Sequence, residues 1–414
     1  MRIALVVHQF PPEHVGGTEI HTLTLARALA ERGHVVSVFY PSQGLDNDRQ
    51  ETRHGLALWQ AANPPLPSGA NPARQFWRTF RNLAVEESFG RFLESFGPDL
   101  VHFQHLQNVS GRLIALAAGR PRVLTLHDYW YFCANSQLLR PDGSLCNGFS
   151  IACADCALSR MERPLPRVAR PIAALPLWGR NVYLRYALRE IDHFVAPSDY
   201  VKHVYVGQGL PPGRIRVLPH GVSPARLQPS GEPLAAVEGQ PLFGFLGSLA
   251  PAKGVHVLVE TFRGLAPEAG LALYGDPSVF PAYVKRLRGL ATHPGVRFAG
   301  PLAHDHVGDA LRRLDYLVVP SLWHETLCMV VDEAHALGVP VVASALGALT
   351  RIEDGVNGRL FPAGDVDALR RILMGLADRP ELRPQYAQRL PAVPTVDEQT
   401  EKMLALYAEL LVSP

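Results

Sequence analysis

The chain has little charge to spare. Lys and Arg exceed Asp and Glu by a net +2 over 414 residues, and charged residues make up only 19%. So small an excess leaves no electrostatic footprint for nucleic acid, which is not expected as a partner. Long apolar runs are missing too, since none approaches the roughly 18 uninterrupted residues that a membrane-crossing helix requires. The start, Met1 to His8, carries one Arg and a short apolar run that soon meets Pro11 and Pro12. It lacks the length and cleavage site of a signal peptide, so a cytoplasmic protein is expected. The five cysteines would then sit in a reducing compartment, where metal ligation or buried thiols come before disulfides. Two nucleotide fingerprints are also absent. No G-x-G-x-x-G occurs, and Gly247 to Gly254 fails as a phosphate loop because Lys253 precedes its glycine. Nicotinamide chemistry and P-loop ATP hydrolysis thereby lose their sequence support.

What is present is an ordinary folded composition, 47% hydrophobic, in a chain longer than one hydrophobic core usually grows. Two domains are expected, with the cleft between them as the default ligand site. Arg2 to His8 reads as a strand running into a Pro/Gly loop. A helix N-capped by Thr18 and stopped by Gly33 follows, then a second strand from Val35 to Tyr40. Apolar on both faces, these strands suit a buried parallel sheet. Similar runs recur at Leu100 to Phe103, Val123 to Leu126, His193 to Ala196 and Ile215 to Leu218. The first domain is placed at 1–222. Ser223 to Pro241, rich in Pro, Gly and Ala without periodicity, reads as a linker. Strands at Leu242 to Leu246, Leu271 to Tyr274, Val296 to Ala299, Tyr316 to Val319 and Val339 to Ala343 make a second α/β domain over 242–395. A last helix in 396–414 is expected to pack back on the first domain.

Glu325 and Glu333 stand eight apart across a strand-to-helix junction, in Pro320-Ser321-Leu322-Trp323-His324-Glu325-Thr326-Leu327-Cys328 and the helix that follows. Open α/β sheets bind ligands at the C-terminal ends of their strands, so the pair can address two ends of one ligand. A helix-start charge and a solvated face residue are the bland alternative. Lys253, just after a strand and just before a helix, suits a diphosphate, or is a solvated loop lysine. Gly16 and Gly17 let backbone N–H groups approach an anion or sugar, although such a pair is often purely conformational. His127, beside Asp128 at the end of another apolar strand, brings a titratable ring toward the cleft rim.

Cys133, Cys146, Cys153 and Cys156 fall in one loop-like segment, and only the last two have C-x-x-C spacing. Four thiolates would complete a tetrahedral structural zinc, and buried or incidental thiols are the equal alternative. Arg160, Arg163, Arg167, Arg170, Arg180, Arg185 and Arg189, interleaved with Trp178 and Tyr183, face a single acid, Glu162. Arg74, Arg78 and Arg81 flank Phe76, Trp77 and Phe80 in the same manner. These clusters read as solvated faces or, together, as a contact with an anionic membrane surface.

Taken together, these residues resemble the retaining glycosyltransferases of family 4, which have the GT-B fold. The likeness spans nearly the whole chain: Glu325 with Glu333 before Gly338-Val339-Pro340, Pro197-Ser198, Pro219-His220-Gly221-Val222, Lys253-Gly254, the glycine pair and His127-Asp128. The resemblance implies two Rossmann-like, doubly wound α/β domains facing across a cleft. It implies donor-sugar contact for Glu325, ribose contact for Glu333, and phosphate contact for the amides of Thr326, Leu327 and Cys328. Lys253 matches one of the family's two diphosphate cations, while Ser248 stands where the other, an Arg, is usual. His127 matches the cleft histidine near the donor sugar, and Gly16-Gly17 the loop near phosphates and acceptor. The expected reaction moves a sugar from a UDP- or GDP-sugar to a hydroxyl of a glycan or lipid-linked acceptor. Anomeric configuration is retained, no metal cofactor is needed for catalysis, and the setting is envelope polysaccharide assembly at the inner membrane face. A GT-B epimerase and a catalytically inert nucleotide-sugar-binding scaffold are the rival readings.

Overall fold

The structure is a computed structural model. It describes residues 1–53, 55–63, 72–159, 167–230, 240–303 and 306–412, without the side chains of 72–74, 159 and 167. The chain divides into two compact units, 1–220 together with the helix Val396–Val412, and 221–395.

In the first unit the strands are β1 (Arg2–Val6), β2 (Val35–Gln43), β3 (Arg49–Arg53), β4 (Leu56–Asn63), β5 (Leu100–Phe103), β6 (Arg122–Thr125), β7 (His193–Ala196) and β8 (Ile215–Val217). They form one sheet in the order β3-β4-β2-β1-β5-β6-β7-β8. Every pairing is parallel except β3 with β4. Strands such as Leu100-Val101-His102-Phe103 are buried along their whole length, as a sheet covered by helices on both faces requires. Helix Val396–Val412 lies on the helix Gly17–Glu31. Its Tyr407 hydroxyl meets His102 Nδ1 at 2.6 Å, and its Asp397 pairs with Arg32.

In the second unit β9 (Leu242–Leu246), β10 (Gly270–Tyr274), β11 (Val296–Gly300), β12 (Tyr316–Val319), β13 (Val341–Ser344) and β14 (Gly358–Phe361) form a parallel sheet. Its order is β11-β10-β9-β12-β13-β14. Leu258, Phe262, Leu271, Leu273, Val318 and Leu373 pack one face, and Leu311, Leu317, Val331 and Val341 the other. Both units are thus α/β with parallel sheets. Of the expected linker, Pro224–Leu227 is a helical turn of the second unit. The Leu227 carbonyl accepts from Arg312, and Ser230 bonds Asp309. Residues 231–239 lie outside the described part.

Two local expectations are corrected. The helix after β1 begins at Gly17 with Gly16 as its N-cap, so Thr18 lies inside it and its side chain caps nothing. Glu19 takes over that work by folding its carboxylate back onto the Gly16 backbone N–H, one half of a capping box. A Cβ on Gly16 would stand 2.6 Å from that carboxylate, so a larger residue there would push the Glu19 side chain off the cap. Arg180, read above as part of a basic surface, is buried. It donates to the Trp130 carbonyl and stacks on the Trp130 ring at 4.5 Å.

Candidate functional site

In the second unit, β12 ends at Val319 and the chain turns through a loop, starting at Pro320, into the helix Met329–Ala336. The turn is made at Cys328, a non-glycine residue held at φ +68, a conformation that tends to collect at functional sites. Glu325, on this loop, is only 2% exposed. Three donors converge on its Oε1: Lys253 Nζ at 2.7 Å, Ser321 Oγ at 2.5 Å and Trp323 Nε1 at 2.9 Å. The loop backbone is pinned as well, because Ala348 N–H donates to the Glu325 carbonyl at 2.8 Å.

Lys253 reaches this carboxylate from the end of the short turn Pro251–Lys253 after β9, with its ammonium 5.2 Å from the Trp323 ring centre. Burial works against the ammonium, but the Glu325 carboxylate outweighs it and holds its pKa above the ordinary value. Burial also pushes the Cys328 thiol up to about 12, with Glu325 adding to the effect, so this cysteine is a neutral thiol at physiological pH. Ser248 lies exposed in the β9 loop. Thr326 and Cys328 are half-buried and Leu327 is buried at the helix entrance, where the first-turn amides have no intrahelical acceptors.

Glu333, one helical turn further on, is 5% exposed and pairs through Oε1 with Arg226 Nε at 2.8 Å. Its Oε2 is buried with no hydrogen-bond partner. Burial raises its pKa, with Arg226 opposing. Arg351 bonds Asp332 at 2.8 Å and, like Lys253, acts on the Cys328 thiol, so a second cation stands near the helix start. Sequence reasoning missed Ser321, Trp323, Arg226 and Arg351. The first two had a signal, being polar groups four and two residues before the loop glutamate. The two arginines had none.

In the first unit, His127 follows β6, is buried, and joins Gln104 Oε1 through Nε2 at 3.0 Å. Burial, reinforced by His220 and His21, holds its pKa well below the ordinary value. Asp128 is engaged elsewhere, by His105 Nε2 at 3.1 Å and by the Trp130 N–H. Gly16 and Gly17 start their helix as described. Lys253, Glu325 and Glu333 on one hand and the His127 group on the other therefore belong to separate units.

None of the five cysteines is disulfide-bonded. Burial raises the Cys156 thiol to about 12, and Cys153, Cys133 and Cys146 add to it, so the four share one neighbourhood. Cys146 donates to the Gly148 carbonyl at 3.3 Å, and Cys153 accepts from Ser150 N–H at 3.4 Å. Of the arginine clusters, Arg160 and Arg163 lie outside the described residues, as do the side chains of Arg74 and Arg167. Arg185 and Arg189 are exposed on or just after the helix Arg170–Leu188. That helix and the turn before it expose Val168, Ile172, Leu175, Trp178, Val182 and Tyr186, between 48% and 87%. Among the described residues no helix is long and apolar enough to cross a membrane.

The profile described as Glycosyltransferase Family 4 matches residues 15–226, and one described as Glycosyl transferases group 1 matches 240–379. A D-inositol 3-phosphate glycosyltransferase of Stackebrandtia nassauensis is 36% identical over 396 residues, covering 88% of this chain and 81% of its own. A GDP-mannose-dependent alpha-mannosyltransferase of Mycobacterium tuberculosis is 28% identical, over 89% and 85% of the two chains. Among solved structures, HepE of Anabaena in complex with UDP and glucose superposes with a TM-score of 0.68 at 20% identity. It covers 99% of this chain and 100% of its own. With its two parallel-sheet units and its loop and helix glutamates, the chain belongs to Glycosyltransferase Family 4 and is a glycosyltransferase of the GT-B fold.

Proposed function

We propose that the protein transfers a sugar, with retention of configuration, from a UDP- or GDP-sugar to a hydroxyl of a glycan or lipid-linked acceptor. The observation that carries this reading is the unpartnered, buried Oε2 of Glu333 behind the charged Glu325 cluster. A buried carboxylate oxygen without a donor is costly unless a ligand supplies one, and a ribose hydroxyl does so. Glu325 then meets the sugar. Lys253, Arg351 and the amides of Thr326 to Cys328 meet the diphosphate, and Arg351 supplies the charge missing at Ser248. The leaving diphosphate helps to take the acceptor proton. The acceptor is assigned to the first unit, where His127 and the glycine pair stand. The relatives and structural neighbours include a GDP-mannose-dependent enzyme and a protein solved with UDP, which supports both bases. Glu333→Gln should lower the affinity for the bare nucleoside diphosphate about tenfold, roughly 1.4 kcal/mol. Calorimetry of the folded variant with UDP and with GDP checks this. Unchanged affinity for both would remove Glu333 from the site.

The diphosphate is neutralised by protein groups in this reading, so no metal cofactor takes part in catalysis, and the zinc proposed at Cys133, Cys146, Cys153 and Cys156 is structural. Cys133, Cys146 and Cys153 all act on the ionisation of Cys156, which supports a shared site, although their sulfurs do not converge to ligand distance and the ion would have to draw them together. Purified protein should carry about one cysteine-bound zinc per chain, lost in Cys133→Ser, and should transfer sugar in EDTA. Four freely titrating native thiols would withdraw the zinc. Turnover lost in EDTA and restored by magnesium would withdraw the metal-free mechanism.

The exposed stripe on helix Arg170–Leu188, which contains no acidic residue, supports attachment to an anionic membrane surface and hence an envelope acceptor. Its residues recur every three or four positions, as one apolar helix face requires. Sedimentation with phosphatidylglycerol vesicles should be strong at low ionic strength and weaker with added salt. Trp178→Glu should reduce it at every salt concentration. No binding at low salt would exclude the surface.

A further inference from the structure

Around His127 the first unit gathers two more imidazoles. His21 comes from the helix Gly17–Glu31, and His220 lies beyond β8. The ring centres of His21 and His220 are 3.7 Å apart, those of His127 and His220 5.0 Å, and those of His21 and His127 5.1 Å. One ring nitrogen from each of the three lies within 4.8 Å of the other two, the one such convergence of metal-binding side chains among the described residues. All three rings are buried.

Packing alone explains this arrangement poorly. His21 Nδ1 and His220 Nδ1 are buried without any hydrogen-bond partner, a state that native interiors avoid unless a ligand or ion completes it. The remaining nitrogens are held from outside. His127 Nε2 faces Gln104 Oε1 at 3.0 Å, and His21 Nε2 faces the Gln399 amide at 2.7 Å. With that amide turned so that its oxygen meets the ring, His21 Nε2 donates outward and Nδ1 keeps its lone pair toward the centre. His127 behaves likewise when Gln104 accepts from its Nε2. An outer layer of this kind fixes the tautomer of metal-binding histidines. Burial also keeps the rings in the neutral form that binds metal: His21 falls to about 4, and His127 and His220 lie well below the ordinary value.

We propose that His21, His127 and His220 form a binding site for a late first-row divalent cation, zinc or cobalt, with water in a fourth position. Neutral imidazoles suit these ions, and three of them with one open position make a four-coordinate site. Ligand nitrogens about 2.1 Å from zinc stand roughly 3.4 Å apart, so binding must draw the nitrogens in from their 4.8 Å spread and part the His21 and His220 rings, which now lie 3.7 Å apart at 31°. The ion would fix the orientation of the imidazole that the family resemblance places near the donor sugar. The site itself does not depend on that reading, because its test is binding.

The test uses tag-free full-length protein freed of metal, titrated with cobalt(II) and followed by absorption. Binding at this site produces visible d–d bands of a four-coordinate nitrogen and oxygen set, without the near-ultraviolet charge transfer that cysteine thiolates give. The bands should persist in Cys133→Ser and disappear in His220→Ala. Gln104→Leu, which removes a partner shared by His127 and His21 but none of the three ligands, should weaken binding about tenfold while the protein stays folded. Absence of such bands in folded wild-type protein would overturn the proposal. So would bands unchanged in both His220→Ala and Gln104→Leu.

Discussion

Glu325→Gln should leave a folded protein that still binds nucleoside diphosphate but turns over ten- to a hundredfold more slowly. That corresponds to the about 1.5–3 kcal/mol that a charged hydrogen bond contributes. The carboxylate oxygen is the common acceptor for the Lys253 ammonium, the Ser321 hydroxyl and the Trp323 indole N–H. A glutamine oxygen can still accept from serine and tryptophan, but it offers no charge to the ammonium, and its NH₂ faces other donors. Lys253 therefore loses the partner that outweighs its desolvation, and its pKa should fall below the ordinary value. Above that new pKa the lysine is uncharged and no longer helps the leaving diphosphate, so the variant's kcat should decline at a lower pH than that of the wild type. Steady-state rates across pH, paired with calorimetry of the bare diphosphate, read both effects. A folded variant that transfers sugar at the wild-type rate would mean that the assigned donor site is wrong.

The second large effect concerns Gly254, which follows Lys253 at φ +66. A Cβ there would lie 1.9 Å from the Pro320 carbonyl oxygen and 2.9 Å from its carbon. Backbone cannot swing aside as a side chain does, so Gly254→Ala must move the end of β12 or the turn that carries Lys253. We expect a loss of about 3 kcal/mol or more in unfolding free energy, summing left-handed strain and backbone displacement. Gly355 is the control. It has φ +76 in the same unit with nothing within 4 Å of an added Cβ, so Gly355→Ala should cost only about 1 kcal/mol. Thermal melts of the two variants compare them directly. Equal melting temperatures would show that Pro320 yields easily. In Gly254→Ala the turnover should fall as well, because Pro320 leads directly into Ser321 and the loop that presents Glu325.

How much of this was legible in the sequence can be judged strand by strand. Leu100–Phe103, His193–Ala196, Leu242–Leu246 and Tyr316–Val319 form where their apolar runs stand, because a strand buried on both faces must be apolar throughout. β3 gave no such signal. Arg-Gln-Glu-Thr-Arg is polar along its length and pairs only at the sheet edge with β4, where nothing needs to be buried. β14, only four residues with Arg359 among them, was missed for a similar reason. Thr18 as a cap was a sound local guess, displaced when the Glu19 carboxylate took the Gly16 N–H.

The sequence by itself determined the two α/β units, the strand-to-helix junctions where Lys253, Glu325 and Glu333 stand, and the family. These features rest on periodicity and on motifs of a few residues, which a linear chain displays directly. Tertiary structure alone decided which groups surround them. Lys253 and Glu325 are 72 residues apart, and His21 and Gln399 are 378 apart. Arg226 reaches Glu333 across a comparable stretch of chain, and burial of Arg180 under Trp130 turns an apparent surface cation into a core residue. Side chains so distant along the chain meet only because sheet order brings strand ends together. No local pattern encodes which polar group a buried charge will find, and the partners of Glu325, Glu333 and His127 became known only from the fold.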